Sequence, residues 1–243
     1  MKLYQQFLAI GLSVSMLAAC SSSRIDYSDV PESDLFSKSQ ATLDDGAFKS
    51  ATTLLEAMDK SYPFGPYSQQ VQLNLIYTYY KTSEFPVAIA SIDRFLKLNP
   101  THPNVDWVLY IRGLSNMVLD DNQIQGWFGV DRSDREQDYA IAAFKDFTYL
   151  VNNFPNSDYS YDAQQRLIFL KNRLAKYQYK IAQYYTKREA YVAVINRVEN
   201  MLTMFPDTQA TRNALPLMAN AYHQLGLTAE AEKVERLIAA NPE

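Results

Sequence analysis

The sequence predicts an all-α solenoid of about five helix pairs, arranged in two groups joined by one long helix. Three observations carry that prediction. Apolar residues recur at steps of three and four, the chain of 243 residues holds only 7 glycines, and one pattern ending in proline repeats in phase. Ala51, Leu55 and Pro63 are separated by four and eight residues, as are Ala88, Ile92 and Pro100, then Ala143, Phe147 and Pro155, and finally Val194, Val198 and Pro206. A compact residue lets two helices approach and the apolar residue one turn on packs between them. The proline then stops the helix, because its ring cannot continue one.

The partner helix of each pair is recognisable as well. Tyr79 stands nine residues before Ala88, and Tyr185, preceded by Ile181 and Ala182, stands nine before Val194. Together the two patterns are those of the tetratricopeptide repeat. Residues 73–100 hold the best copy, with Leu75, Ile76 and Tyr79 on one packing face and Ala88, Ile92 and Phe95 on the other. A weaker fifth copy comprises Met218, Ala219, Tyr222 and Ala231, and departs at Glu235, where an apolar residue is expected. A polar-faced last repeat is what a solenoid needs to end in water.

Chain order then gives the domain plan. Residues 1–19 read as a signal peptide, 20–31 as a tether, 32–156 as repeats one to three, and 157–243 as the long helix with repeats four and five. Ser33 or Asp34 is placed to cap the first helix. The interval from Pro63 to Pro100 is close to a regular repeat, but the next two proline intervals are longer. The first excess is an insertion, residues 120–135, between helices expected over 105–119 and 136–153; it carries Trp127 and Phe128. The second is a single helix from Tyr159 to Lys187, without Gly or Pro, spanning about 40 Å at 1.5 Å per residue.

At the N-terminus Lys2 precedes an apolar run over Phe7–Ala19, within the range of an export signal and too short to cross a bilayer. It ends in Leu17-Ala18-Ala19-Cys20, which resembles the bacterial lipobox, in which the cysteine is acylated and heads the mature chain. Cys20 is the only cysteine, so no disulfide can form within the chain. Ser21 follows it; in Gram-negative lipoproteins a serine there, with no aspartate, permits sorting to the outer membrane.

Charge and motifs narrow the function classes. A net charge of −4 without a Lys/Arg run argues against nucleic-acid binding. The two histidines, His102 and His223, have no second histidine or cysteine nearby, so no metal-ligand spacing exists, and no cofactor motif is present. No nucleophile motif or phosphate loop supports an enzyme.

Binding is the better-supported class. On the second repeat Leu73, Tyr77 and Tyr80 form the stripe opposite the packing face. On the third, Trp107, Tyr110, Leu114 and Met117 form its counterpart. Facing stripes predict an aromatic groove in which Asn74 bonds a peptide backbone and Arg94, Lys97 or Arg112 meets a carboxylate. The stiff connector Tyr62-Pro63-Phe64-Gly65-Pro66-Tyr67 is suited to wall one end of it. In the C-terminal half, candidates for an interface are Lys187-Arg188-Glu189 at a turn and Arg197, flanked by Val194, Val198 and Met201.

Four stretches are more specific than the repeat pattern: YPFGPYSQQVQL (62–73), LNPTHPNVDWVLYIRGL (98–114), GWFGVDRSDR (126–135) and FPDTQATRNALPLM (205–218). In these the chain resembles the BamD family, also called ComL or YfiO, over almost its whole length. The resemblance implies five helical repeats anchored by lipid on Cys20 to the inner leaflet of the outer membrane, facing the periplasm. It implies contacts with unfolded outer-membrane β-barrel proteins through their C-terminal signal, with BamC and other Bam lipoproteins, and with the periplasmic POTRA portion of BamA. Substrate binding would then fall near Tyr62, Phe64, Tyr67 and Asn74 and on the groove residues, and BamA docking near Arg188, Arg197 and Met201. The alternative reading is a general envelope repeat adaptor serving peptidoglycan enzymes or DNA uptake.

Overall fold

The computed structural model describes residues 27, 30–124 and 137–241. The signal segment, Cys20, nearly all of the tether, and Trp127 and Phe128 of the insertion lie outside the described residues. Among the described residues ten helices follow one another: α1 (Glu32–Asp44), α2 (Phe48–Ser61), α3 (Ser68–Lys81), α4 (Phe85–Leu98), α5 (Val105–Ile124), α6 (Asp138–Asn153), α7 (Ser160–Lys187), α8 (Tyr191–Met204), α9 (Gln209–Gln224) and α10 (Thr228–Ala240). No strand occurs among the described residues. α5 extends past Leu119 to Ile124, so the start of the expected insertion is helical. Pro31, not Ser33 or Asp34, occupies the cap position of α1, and no side chain caps it.

Each helix packs on its neighbours in sequence, and α3 also meets α5 as α7 meets α9. In these two places first helices stack on one another while each stays paired with its even-numbered partner. The repeated positions explain why. Ala51, Leu55, Ala88, Ile92, Ala143, Phe147, Val194 and Val198 are all completely buried. Ala231 of the weak fifth copy is equally buried, whereas Glu235 is exposed and meets His223.

Within four pairs the turn between helices is built alike. Gly46, Ser83, Glu189 and Gly226 each stand two residues beyond a first helix and take positive φ, at 72°, 63°, 58° and 74°. Two of these positions carry the residue that adopts this conformation freely, and two hold a side chain there at a cost of about 1–2 kcal/mol. In the third pair Gly113 has a different use. A Cβ on it would lie 2.5 Å from the Phe147 ring, so its absence lets α5 and α6 close over that buried phenylalanine.

The long helix belongs to two cores. Its first half, through Ala163, Leu170 and Leu174, packs with Ala140, Ala143, Phe147 and Leu150 of α6. Ala182, nearer its end, packs with Val194, Val198 and Met201 of α8 and with Ala214 and Met218 of α9. Phe205, in the turn after α8, reaches back into the α6 core and meets Phe144 edge-on at 6.4 Å. Lys171 and Asp207 pair across the same junction. Among the described residues no helix is long and apolar enough to cross a membrane.

Candidate functional site

Two grooves open on this frame. The first lies where the starts of α5 and α7 converge on α3. Gln70, Asn74 and Tyr77 of α3 line it from one side and Pro103, Asn104, Asp106 and Trp107 from another. Asp158 and Tyr159 complete a cavity of about 440 Å³. Gln70, Asn74 and Tyr77 sit at steps of four and three, so one stripe of α3 faces the opening. Gln70 donates to Asn74 Oδ1 at 2.9 Å, while the Asn74 amide nitrogen is shielded and makes no hydrogen bond. A shielded, unmatched donor costs free energy until something accepts from it. Tyr77 is 38% exposed, packs edge-on against Phe48 at 5.7 Å, and lies under Lys81.

Polar contacts fix the walls of this groove. Asp106 accepts from Ser157 at 2.6 Å, tying the start of α5 to the corner before α7. Tyr110 stacks on Tyr159 at 5.0 Å and donates to Asp162 at 2.6 Å; Arg166 meets the same carboxylate. Burial pushes the Asp162 carboxyl up, but the Tyr110 hydroxyl and Arg166 outweigh that and hold it below its ordinary range. Behind them Arg112 grips Asp146 through Nε and Nη2, at 3.0 and 2.6 Å, and reaches Asp93 at 2.6 Å. Burial works against the Arg112 charge, yet its two carboxylate partners hold it more firmly protonated than usual.

The structure thus brings together four of the expected groove residues, Leu73, Asn74, Tyr77 and Trp107, with Leu73 buried between the lining and the α3–α4–α5 core. It places the others elsewhere. Tyr80 packs on the α3–α4–α5 core and against Phe85. Arg94 on α4 is held by both oxygens of Asp59 on α2, at 2.9 and 2.7 Å, and Arg112 is held as above, so neither cation is offered to a ligand in the groove. Tyr110 serves as a wall tie. The physical reason is common to these corrections: a first helix is covered by its own partner and by the next repeat, so only a narrow stripe stays open. Tyr62, Phe64 and Tyr67 are not in the lining either. Tyr62 donates to the Val30 carbonyl at 2.8 Å, Tyr67 stacks on Phe36 at 4.2 Å, and Phe64 is 97% exposed at the tip of its turn.

The second groove lies between α6 and α8 over the middle of α7. Its cavity of about 540 Å³ has an apolar floor that includes Phe144, Leu174 and Phe205, with Ile141, Tyr149 and Met204 partly exposed along it. Thr148, Asn152, Asn153, Gln178 and Asn200 supply polar edges, and Lys145 and Arg197 are its only charged lining residues. Arg197 donates to Gln178 Oε1 at 2.7 Å and so is aimed along the groove. Met201, one turn on from Arg197, is completely buried in the core with Ala182 and α9, and cannot be a surface contact. Arg188 lies apart, exposed at the end of α7, stacked 5.4 Å over the Tyr184 ring. Spacing along α8 could not reveal this groove, because α6 and α8 are brought side by side only by the bridging helix.

Fold and grooves together define a helical-repeat scaffold with two open grooves. Among the described residues no cluster of metal-ligating side chains occurs. The family described as outer membrane lipoprotein, YfiO, matches residues 28–237, and the chain belongs to it. It is 47% identical to the outer membrane protein assembly factor BamD of Vibrio cholerae, over 95% of this chain and 96% of that protein. To the BamD of Pasteurella multocida it is 43% identical, over 99% of this chain and 92% of that one. It is also similar to the crystal structure of a tetratricopeptide repeat protein from Parabacteroides merdae, at 16% identity and a TM-score of 0.41, over 87% and 80% of the two chains.

Proposed function

We propose that this chain is a non-enzymatic scaffold of the outer-membrane β-barrel assembly machinery, anchored through lipid on Cys20 with its repeats in the periplasm. The reading is supported by membership of the outer-membrane lipoprotein family and by the names of its relatives. In it, the polar groove takes an extended segment of an unfolded barrel protein carrying the C-terminal signal, and the apolar groove docks the POTRA region of BamA. The observation that carries the first role is the unmatched Asn74 amide between Tyr77 and Trp107: a donor for a peptide carbonyl, flanked by two rings that accept apolar side chains. The second role rests on apolar surface edged by Lys145 and Arg197, a surface that suits an acidic and apolar partner. Arg188, outside this groove at the end of α7, is assigned to a separate contact with the same partner.

Titration of the mature chain with a peptide bearing a barrel protein's C-terminus tests the first role. Tyr77→Ala and Trp107→Ala are each expected to weaken binding by about 1–2 kcal/mol, roughly the value of a ring packed against a partner. Unchanged affinity in both variants would refute the groove. Pull-down from solubilised membranes tests the wider reading, since recovery of cell-wall enzymes without any barrel protein would favour the envelope adaptor instead.

A further inference from the structure

The two most exposed large hydrophobic side chains among the described residues, Phe64 at 97% and Tyr161 at 77%, share one end of the solenoid. Consecutive helices alternate in direction, so the starts of α1, α3, α5 and α7 and the corners leading into them lie together. Contacts between these corners fix the end: Gln69 at the start of α3 donates to Asn99 beyond α4 at 3.0 Å, and Ser157 meets Asp106. The tether leaves from this same end, since Val30 and Pro31 lead directly into α1.

Phe64 is presented on a braced turn. Tyr62 donates to Val30 O at 2.8 Å, so the turn is bonded to the foot of the tether itself. Tyr67 stacks on Phe36 of α1, and the Glu32 side chain covers Gly65 so closely that a Cβ there would clash with its carboxylate. Backbone bonds from Gly65 N to Tyr62 O at 3.2 Å and from Ser68 N to Gly65 O at 3.0 Å close the turn on itself. A large apolar side chain fixed almost wholly in water gains nothing from folding; its use is to be covered by something else.

The tether says what covers it. Tyr27 packs against the first-repeat core only seven residues along the chain from Cys20. Even fully extended, that many residues reach only about 25 Å. If Cys20 carries lipid, as proposed above, the Phe64 turn is held within a short distance of the bilayer face whatever path the tether takes. We infer that the 62–67 turn is a membrane contact in which Phe64 enters the lipid headgroup and acyl boundary. With the acyl anchor it makes a second point of attachment. Two points fix the tilt of the solenoid, which one flexible anchor cannot do, and they set the corner-side mouth of the polar groove towards the membrane. The partner is a lipid surface and the attraction apolar, so added salt should leave the contact in place.

The experiment uses the full lipidated chain in vesicles of phosphatidylethanolamine and phosphatidylglycerol. Because an acylated Cys20 has no free thiol, Phe64→Cys offers a single site for an environment-sensitive fluorophore. Asp45→Cys, exposed in the turn between α1 and α2 at the opposite end, is the comparison. At position 64 the emission should shift to the blue and be largely quenched by brominated lipid, at low and high salt alike; at 45 neither should occur. Equal, water-like signals at both positions would overturn the inference. So would a signal at 64 that changes only when barrel-protein peptide is added, which would mark the turn as a client contact. Mass spectrometry of the purified chain reports separately whether Cys20 is acylated, so a failed anchor and a failed membrane turn give different results.

Discussion

The polar groove and the apolar groove are built by opposite means. The first is walled by hydrogen bonds and ion pairs: Asp106 with Ser157, Tyr110 with Asp162, Arg112 with Asp146 and Asp93. The second is floored by side-chain packing through Phe144, Leu174 and Phe205. The difference matches what each is proposed to hold. A groove that reads extended backbone needs fixed donors and acceptors, and buried polar networks give directional placement. A docking surface for a folded partner needs area and a few anchors, which packing supplies.

The largest expected effect comes from breaking the polar wall. Arg112→Ala strands the buried Asp146 carboxylate, and should destabilise the chain by about 3–5 kcal/mol in denaturant unfolding. A loss below 1 kcal/mol would show that the network is dispensable. On the apolar side Met201→Ala should cost about 2–5 kcal/mol of stability by opening a cavity. Arg197→Ala should leave the melting temperature nearly unchanged while weakening BamA binding. If Arg197→Ala destabilised the chain as Met201→Ala does, the distinction drawn between core and rim would fail.

Acid should separate the grooves further. A carboxyl whose pKa is lowered on folding stabilises the chain above its unfolded value, about 3.9, and this contribution disappears as pH falls through the folded value. Asp162 is such a group, so Asp162→Asn should flatten the loss of stability below about pH 4, and Tyr110→Phe should flatten it partly. An unaltered acid profile in Asp162→Asn would remove this carboxylate from the account. The smallest effects are expected where the halves are alike. Ser83→Gly and Glu189→Gly relieve positive φ in equivalent turns and should each stabilise by a few tenths to about 1 kcal/mol. Unequal results would show that one turn makes contacts the other lacks.

Periodicity determined a great deal by itself. Helix pairing, the buried faces Leu75–Ile76–Tyr79 and Ala88–Ile92–Phe95, the long α7 and the polar last repeat were all readable, because repeat folds bury the same local pattern each time. The family was readable from four short stretches. Of the groove lining, Leu73, Asn74, Tyr77 and Trp107 were legible because they sit on stripes of α3 and α5 that their own partner helices do not fully cover.

Tertiary structure decided the rest. Arg94 and Arg112 look like free cations in one dimension; Asp59, Asp93 and Asp146 reach them only when neighbouring helices stack. Met201 and Arg197 lie four residues apart on α8, near enough in sequence to seem parts of one surface. The packing of α7 and α9 covers the first completely and leaves the second at the rim of a groove. Local spacing determines which face of a helix is apolar, but contacts between residues far apart in sequence decide which part of that face stays open.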